Sequence, residues 1–242
     1  MSKRLVIIPT YNEKENVEAI IRAVFSLKIP FSVLIVDDNS PDGSFEIVKK
    51  LQQEFTDRLY LEVRKEKEGL GKAYIHGFKW ALARNFDYIF EMDADFSHNP
   101  EDLIRLNKAC ELGADVAVGS RYIRGINVVN WPLKRVLLSL GASIYVKMIT
   151  GMRVQDPTAG FVCYRRRVLE AIDLDQVKFV GYAFQIEMKF KAYKKKFKIK
   201  EVSIVFKDRE KGYSKMSSSI IKEGILGVIQ LKFNSIFNKK NF

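Results

Sequence analysis

Cysteine is nearly absent. Cys110 and Cys163 are the only two in 242 residues, and they lie far apart. Both read as ordinary core thiols in a reducing compartment. Histidine is equally scarce: His76 and His98 do not have the spacing of a metal-binding pair, and no Ser-His-Asp or Cys-His arrangement can be argued. Long apolar runs are missing too. "MSKRLVIIPTYNE" has a four-residue apolar run before Pro9, too short for a signal peptide. No stretch reaches the roughly 18–20 uninterrupted apolar residues that span a bilayer. The nearest, "VLLSLGASIYVKMITGM" and "SIIKEGILGVIQLKF", are broken by Lys147 and by Lys222 with Glu223. There is no low-complexity tract, fixed-period repeat or clear linker. The expectation is a cytoplasmic protein, soluble or lying on a membrane face. Acidic residues are in deficit, 29 against 41 Lys and Arg, for a formal net charge of +12. That surplus predicts an anionic partner: nucleic acid, a phosphorylated ligand or an anionic membrane surface.

Hydrophobic residues make up 47%, enough for a substantial core. Their pattern alternates short apolar runs with helical spacings. "LVIIP", "SVLIVDD", "RLYLEV", "YIFEMDAD" and "ADVAVGSR" read as strands. "NEKENVEAIIRAVFSL", "SPDGSFEIVKKLQQEF", "GLGKAYIHGFKWALAR" and "NPEDLIRLNKACELG" read as the helices between them. This repetition predicts an α/β fold, a mainly parallel sheet flanked by helices on both faces. After "WPLKRVLLSLGASIYVKMITG", which reads as a helix, come a strand in "TAGFVCYRR", a helix in "YAFQIEMKFKAYKK" and a strand in "KIKEVSIVF". In that last strand Val202, Ile204 and Phe206 share a face. "DREKGYSKMSSS" reads as a polar loop before a final amphipathic helix.

Polar residues recur at the C-terminal ends of the strands: Tyr11 and Glu13, Asp37 and Asp38, Asp93 and Asp95, and Arg121. In open α/β sheets that edge is where ligands bind. In a strand, residues i and i+2 point the same way, so Asp93 and Asp95 would reach one hard cation, Mg²⁺ or Mn²⁺. The competing explanation is a solvated acidic turn before an Asn-Pro helix start. Asp37 and Asp38 can accept hydrogen bonds from a ribose or a base, and turn chemistry is the alternative. Gly69 and Gly71 in "EGLGKAY" complete neither a Walker loop nor a Rossmann fingerprint. Helix initiation and close approach to a ligand fit them equally. Arg121, Arg135, Arg209 and Lys215 are candidate phosphate clamps. Of these, Arg209 and Lys215 sit in a glycine-containing loop able to close over a ligand.

"PTYNE", "VDDNSPDG", "MDADFSH", "GSRY", "DPTAGF", "GYAFQIEM" and "REKGYSK", in that order, resemble family 2 glycosyltransferases with the GT-A fold. More narrowly, they resemble the dolichyl- and polyprenyl-phosphate mannose synthases, in a compact form without membrane-spanning helices. The resemblance implies a GT-A domain over residues 1–215 and an amphipathic, interfacial helix over 216–242. It implies that Pro9, Tyr11, Glu13, Val36, Asp37, Asp38 and Ala94 surround the nucleotide sugar. Asp93 and Asp95 would hold Mg²⁺ or Mn²⁺ on the diphosphate. Some members add a Gln ligand two residues later, where this chain has Ser97. Arg121, Arg135 and Ser139 would hold the acceptor phosphate, with Arg209 and Lys215 on the donor and acceptor phosphates.

The activity implied is inverting transfer of mannose from GDP-mannose to a polyprenyl phosphate, at the cytoplasmic membrane face and with no nucleic-acid partner. No residue fixes guanine over uracil, so a UDP-glucose-dependent sister enzyme is an alternative. A basic nucleic-acid-binding protein is suggested by charge alone, and a catalytically dead lipid-phosphate binder is a third possibility. Such an enzyme must reach a membrane. "KFKAYKKKFKIK", Lys189–Lys200, interleaves cations with aromatics, and each Lys near an anionic bilayer contributes about 1 kcal/mol. The helix after Ser217, with Ile220, Ile221, Ile225, Leu226, Val228, Ile229 and Leu231, would lie in the interface.

Overall fold

A computed structural model describes residues 2–208 and 218–237. Four parallel strands form its first half: β1 (Arg4–Thr10), β2 (Ser32–Asp37), β3 (Leu59–Val63) and β4 (Tyr88–Glu91). The helices α1 (Val17–Phe25), α2 (Ser44–Glu54) and α3 (Leu70–Ala83) connect them, and α4 (Asp102–Glu111) follows. The second half contributes β5 (Val116–Ser120), β6 (Val128–Val129), α5 (Leu133–Thr150), β7 (Val162–Arg165), α6 (Arg166–Ala171) and α7 (Tyr182–Lys194). It closes with β8 (Ile199–Ser203), β9 (Phe206–Lys207) and α8 (Ser218–Phe237).

The seven-stranded sheet runs β3-β2-β1-β4-β7-β5-β8. Its period-two alternation sorts the core into two layers. Leu5, Ile7, Leu34, Val36 and Ile89 face one side, with residues of α3, α6 and α7. Val6, Ile8, Val33, Ile35 and Phe90 face the other, with α1, α2 and α4. A third, smaller cluster joins Val146 of α5, Phe190 of α7 and Val228 and Leu231 of α8. Strand order reverses between β1 and β4, which opens a crevice at their C-terminal ends.

The sheet is mainly parallel, as expected, with β7 antiparallel to both β4 and β5. Several other expectations need correction. β4 ends at Glu91, before the two aspartates, so strand alternation does not aim Asp93 and Asp95. A turn does, and it puts Phe96 at φ 58°, an uncommon conformation for a bulky residue. "KIKEVSIVF" is not one strand. It breaks after Ser203, and Phe206–Lys207 pairs in parallel with Val128–Val129 to form a separate two-stranded sheet. Gly69 caps the start of α3 at φ 104°, in line with helix initiation, and Gly71 serves packing. A Cβ on Gly71 would lie 2.7 Å from the Phe179 carbonyl, and Gly71 N–H donates to Val180 O at 2.8 Å. Nor can every lysine of "KFKAYKKKFKIK" reach a bilayer surface, since Lys189 and Lys191 are buried.

Candidate active site

At the ends of β1 and β2, Pro9 pairs with Val36 and Thr10 with Asp37. Asp37 is fully buried. Its carboxylate accepts from Thr10 Oγ1 (2.6 Å), Ser40 N (2.7 Å) and Ser40 Oγ (2.7 Å). Asp37 therefore ties two strand ends together and shapes the loop. Asp38 lies at the mouth, 2.6 Å from the Arg64 guanidinium. Burial lifts its carboxyl above the usual range, against the opposing pull of Arg64. Tyr11 lies beneath the Lys67 ammonium, 4.2 Å from its ring centre, and Glu13 accepts from Asn16 Nδ2 at 3.0 Å. Arg64 and Lys67 place two cations beside the acids of β1 and β2. Sequence reasoning missed both, although they follow the end of β3, because the charged run "RKEKE" reads as solvated surface.

The turn after β4 holds Asp93, Ala94 and Asp95. Both acids are partly exposed, and Ala94 between them is buried. Asp95 Oδ1 accepts from Ser97 N at 3.1 Å. His98 is buried and stacks on Phe161 at 4.7 Å. Asp93 N donates to His98 Nδ1 at 3.3 Å, so the ring proton sits on Nε2. Burial holds this imidazole neutral, with its pKa lowered to about 4. His98 thus braces the turn as an uncharged acceptor.

Do these groups suit a divalent ion? Among the described residues no three His, Cys, Asp or Glu side chains converge as a self-sufficient metal cage. Two hard carboxylates on one turn are nonetheless what Mg²⁺ or Mn²⁺ takes from a protein when substrate phosphates complete its shell. The Ser97 hydroxyl, buried and without a hydrogen bond, lies on the same turn. The donor set fits.

A second cluster faces the turn from β5 and α5. Arg121 is buried and bidentate on Asp156: Nε to Oδ2 at 2.7 Å and Nη2 to Oδ1 at 2.6 Å, with Thr158 Oγ1 at 2.8 Å. Burial acts to raise the Asp156 carboxyl, but the hydrogen bonds and charge of Arg121 outweigh it and hold it below the usual range. The Arg121 guanidinium lies 5.6 Å from the Trp131 ring and 5.7 Å from Phe206, and Arg135 lies 4.0 Å from Trp131. Arg135 Nη1 also reaches Asp208 at 2.8 Å. One helical turn along α5, Ser139 accepts from the Tyr122 hydroxyl at 2.8 Å. Phe206 meets both His98 and Trp131 edge-on at 5.3 Å.

The structure therefore brings Arg121, Arg135 and Ser139 together, and His98 and Phe206 join them to the Asp93–Asp95 turn. Arg209 and Lys215 lie outside the described residues. His98, Trp131, Asp156 and Phe206 are further residues of the cleft that sequence reasoning left without a role. "DADFSH" and "DPTAGF" carried two of them, but the pairing of Asp156 with Arg121 across 35 residues has no local signal.

Residues 5–173 match Glycosyl transferase family 2. Over 228 residues the chain is 46% identical to polyprenol monophosphomannose synthase of Mycolicibacterium smegmatis, covering 94% of this chain and 86% of that protein. It is 42% identical over 224 residues to undecaprenyl-phosphate mannosyltransferase of Micrococcus luteus, covering 93% and 91%. Among solved structures it resembles glucosyl-3-phosphoglycerate synthase of Mycobacterium tuberculosis in complex with Mn²⁺, UDP and glucosyl-3-phosphoglycerate. There the TM-score is 0.68 at 16% identity, covering 97% of this chain and 79% of that one. At that identity the likeness speaks to the GT-A fold alone.

Proposed function

The chain belongs to glycosyl transferase family 2, and on that premise we propose that it moves mannose from GDP-mannose to a polyprenyl phosphate, with inversion. The observation that carries this reading is the juxtaposition of two unlike half-sites. The acidic turn at the end of β4, in the crevice beside the ends of β1 and β2, meets an aromatic-walled cation cluster from β5 and α5. The two relatives, named for polyprenol monophosphomannose synthesis and undecaprenyl-phosphate mannosyl transfer, support mannose and a lipid-phosphate acceptor.

In this reading Pro9, Tyr11, Glu13, Val36, Asp38 and Ala94 line the nucleotide-sugar pocket, with Asp37 fixing its rim from within. Asp93 and Asp95 hold Mg²⁺ or Mn²⁺, which when bound offsets charge on the leaving diphosphate. Arg121, Arg135 and Ser139 hold the acceptor phosphate. A phosphate monoester is already largely ionised near neutral pH, so no general base is needed to make it a nucleophile. What the chain must supply is placement and charge. The Arg121 guanidinium, fixed by Asp156 against aromatic faces, is a preorganised cation that needs no rearrangement as phosphate arrives. Arg209 and Lys215 complete the set.

The acceptor resides in a membrane, and the structure has a face suited to one. No helix among the described residues is long and apolar enough to cross a bilayer. But α5 exposes Leu133, Leu137, Leu138, Ile144 and Met148, and its partner α8 exposes Ile225, Leu226, Ile229, Phe233 and Phe237. The two helices are joined by Tyr145 Oη donating to Ile225 O at 2.8 Å and Lys232 Nζ to Thr150 O at 3.3 Å. The same α5 carries Arg135 and Ser139. Seated on a bilayer by this face, the protein would hold its phosphate clamp at the headgroup level. In this reading residues 1–215 are the catalytic domain and 216–242 add half of the membrane platform.

Labelled GDP-mannose, polyprenyl phosphate and Mg²⁺ or Mn²⁺ test this directly. The expected product is an organic-soluble, mild-acid-labile sugar. Transfer from UDP-glucose instead would replace the donor assignment, and no transfer from either would overturn the reading.

A further inference from the structure

Behind the Asp93–Asp95 turn lies a polar compartment to which no role has been attached. Glu91, the last residue of β4, is fully buried, and neither of its carboxylate oxygens has a hydrogen-bond partner. Three more buried polar atoms are unpartnered around it: Tyr74 Oη from α3, Tyr164 Oη from β7 and Gln185 Nε2 from α7. Tyr74 and Tyr164 both lie within electrostatic reach of Glu91, and the Gln185 amide lies against its carboxyl group. Five such atoms from four elements in one place are not a packing accident, since a buried polar group left dry is destabilising. Together they offer the two to four partners that a buried water needs.

Lys189 closes the compartment. Its ammonium is fully buried and donates to Ala159 O (2.6 Å), Gln185 O (3.0 Å) and Gln185 Oε1 (3.2 Å). Ala159 ends the segment whose Asp156 and Thr158 grip Arg121. Burial lowers the Lys189 pKa to about 8, against the attraction of Glu91 and Asp156. One side chain therefore touches the segment that fixes the Arg121 clamp and is drawn electrostatically toward the strand end that launches Asp93. A buried ammonium is poor value as a stabiliser, because desolvation rivals the attraction it gains. A hydrophobic residue of similar size would serve packing better.

We propose that Lys189, with Glu91, Gln185 and a buried water held by Tyr74 and Tyr164, is the positioning group that fixes the metal-binding turn against the Arg121 clamp. None of these groups touches substrate. They set the spacing between donor and acceptor phosphates, on which in-line attack depends, since an ångström of misplacement costs about 100-fold. The inference rests on the mannosyl-transfer reading given above.

The test compares Glu91→Gln with Lys189→Met, both together, and Gln185→Leu. Lys189→Met alone strands Glu91, while the double variant removes both ionisable groups and should keep its thermal midpoint near that of the wild type. We expect the folded double variant to lose at least tenfold in kcat, with KM for GDP-mannose and for polyprenyl phosphate unchanged within threefold. Gln185→Leu, the milder change, should lose several-fold in kcat with the same split. A folded double variant with wild-type kcat overturns the proposal. If the double variant does not fold, wild-type kcat in Gln185→Leu overturns it instead. A loss that appears in KM alone also overturns it, because misplaced rather than weakened binding is the claim. A wild-type protein that transfers no mannose overturns the underlying reading together with this one. A wild type that transfers beside an unimpaired variant removes only this inference.

Discussion

The two halves of the proposed cleft are built by opposite means. On the donor side, parallel strands deliver acids to the sheet edge, and backbone turns aim them. Asn12 and Asn39 follow β1 and β2 at φ 56° and 55°, and Phe96 closes the turn after β4 at 58°. Asp93 and Asp95 there are partly exposed. On the acceptor side the cation is already matched. Arg121 is buried, bidentate on Asp156, and walled by Trp131, Tyr122 and Phe206. One half is a site completed by its ligand, while the other is preorganised before the ligand arrives. The lesson is that substitutions should behave differently in each: at the Asp93–Asp95 turn they should cost activity without stability, and at the buried Arg121–Asp156 pair they should cost both.

The largest effect should come from the donor side. Asp95→Ala should abolish mannosyl transfer, with a loss of at least about 100-fold, and leave the thermal midpoint within a degree or two. A variant that unfolds instead would break the contrast. Next comes Asp156→Asn on the acceptor side. Breaking a buried ion pair costs about 3–5 kcal/mol, so the variant should melt well below the wild type. Its pH behaviour sharpens the point. Because the folded Asp156 pKa is held below its unfolded value of 3.8, the stability it lends is full above 3.8 and drains away as pH falls through the folded value. The wild type should therefore show an acid limb below pH 3.8 that Asp156→Asn flattens, measured by denaturant melts across pH. A limb that survives would place the acid sensitivity elsewhere.

Smaller effects belong to the rim. Arg135 is about one-third exposed and pairs with Asp208. Arg135→Ala should raise KM for the lipid phosphate about tenfold, with KM for GDP-mannose and the thermal midpoint unchanged. An effect on the donor KM would blur the division between the halves. Last, Leu137→Ser with Met148→Ser on α5 should cut flotation with anionic liposomes several-fold and spare turnover on a short, water-soluble acceptor. Undiminished flotation would remove α5 from the membrane face.

The contrast also explains what could be read from the residues alone. The donor half was legible because β1, β2 and β4 are uninterrupted apolar runs in a parallel sheet, and such runs end in polar clusters at one edge. The acceptor half was legible only as isolated cations. Asp156 lies 35 residues from Arg121, and a local pattern does not carry a pair of that separation. β7 reads as an apolar run whose direction nothing in its four residues declares, and α6 follows it without a break. The end of β4 at Glu91 was hidden because "YIFEMDAD" continues the strand pattern into the turn. Lys189 and Lys191 were misread for a related reason. A lysine in a basic stretch resembles a solvated one until the partners that bury it, Ala159 O and Gln185 for one and Glu187 for the other, arrive from elsewhere in the fold or one helical turn away.

The central claim is that the Asp93–Asp95 turn becomes a phosphate site only when a divalent ion joins it. Calorimetric titration of GDP with and without Mn²⁺, in the wild type and in Asp95→Ala, tests it most directly. The account predicts at least tenfold tighter binding with Mn²⁺ in the wild type and no metal dependence in the variant. Equal GDP affinity with and without the ion in the wild type would contradict it.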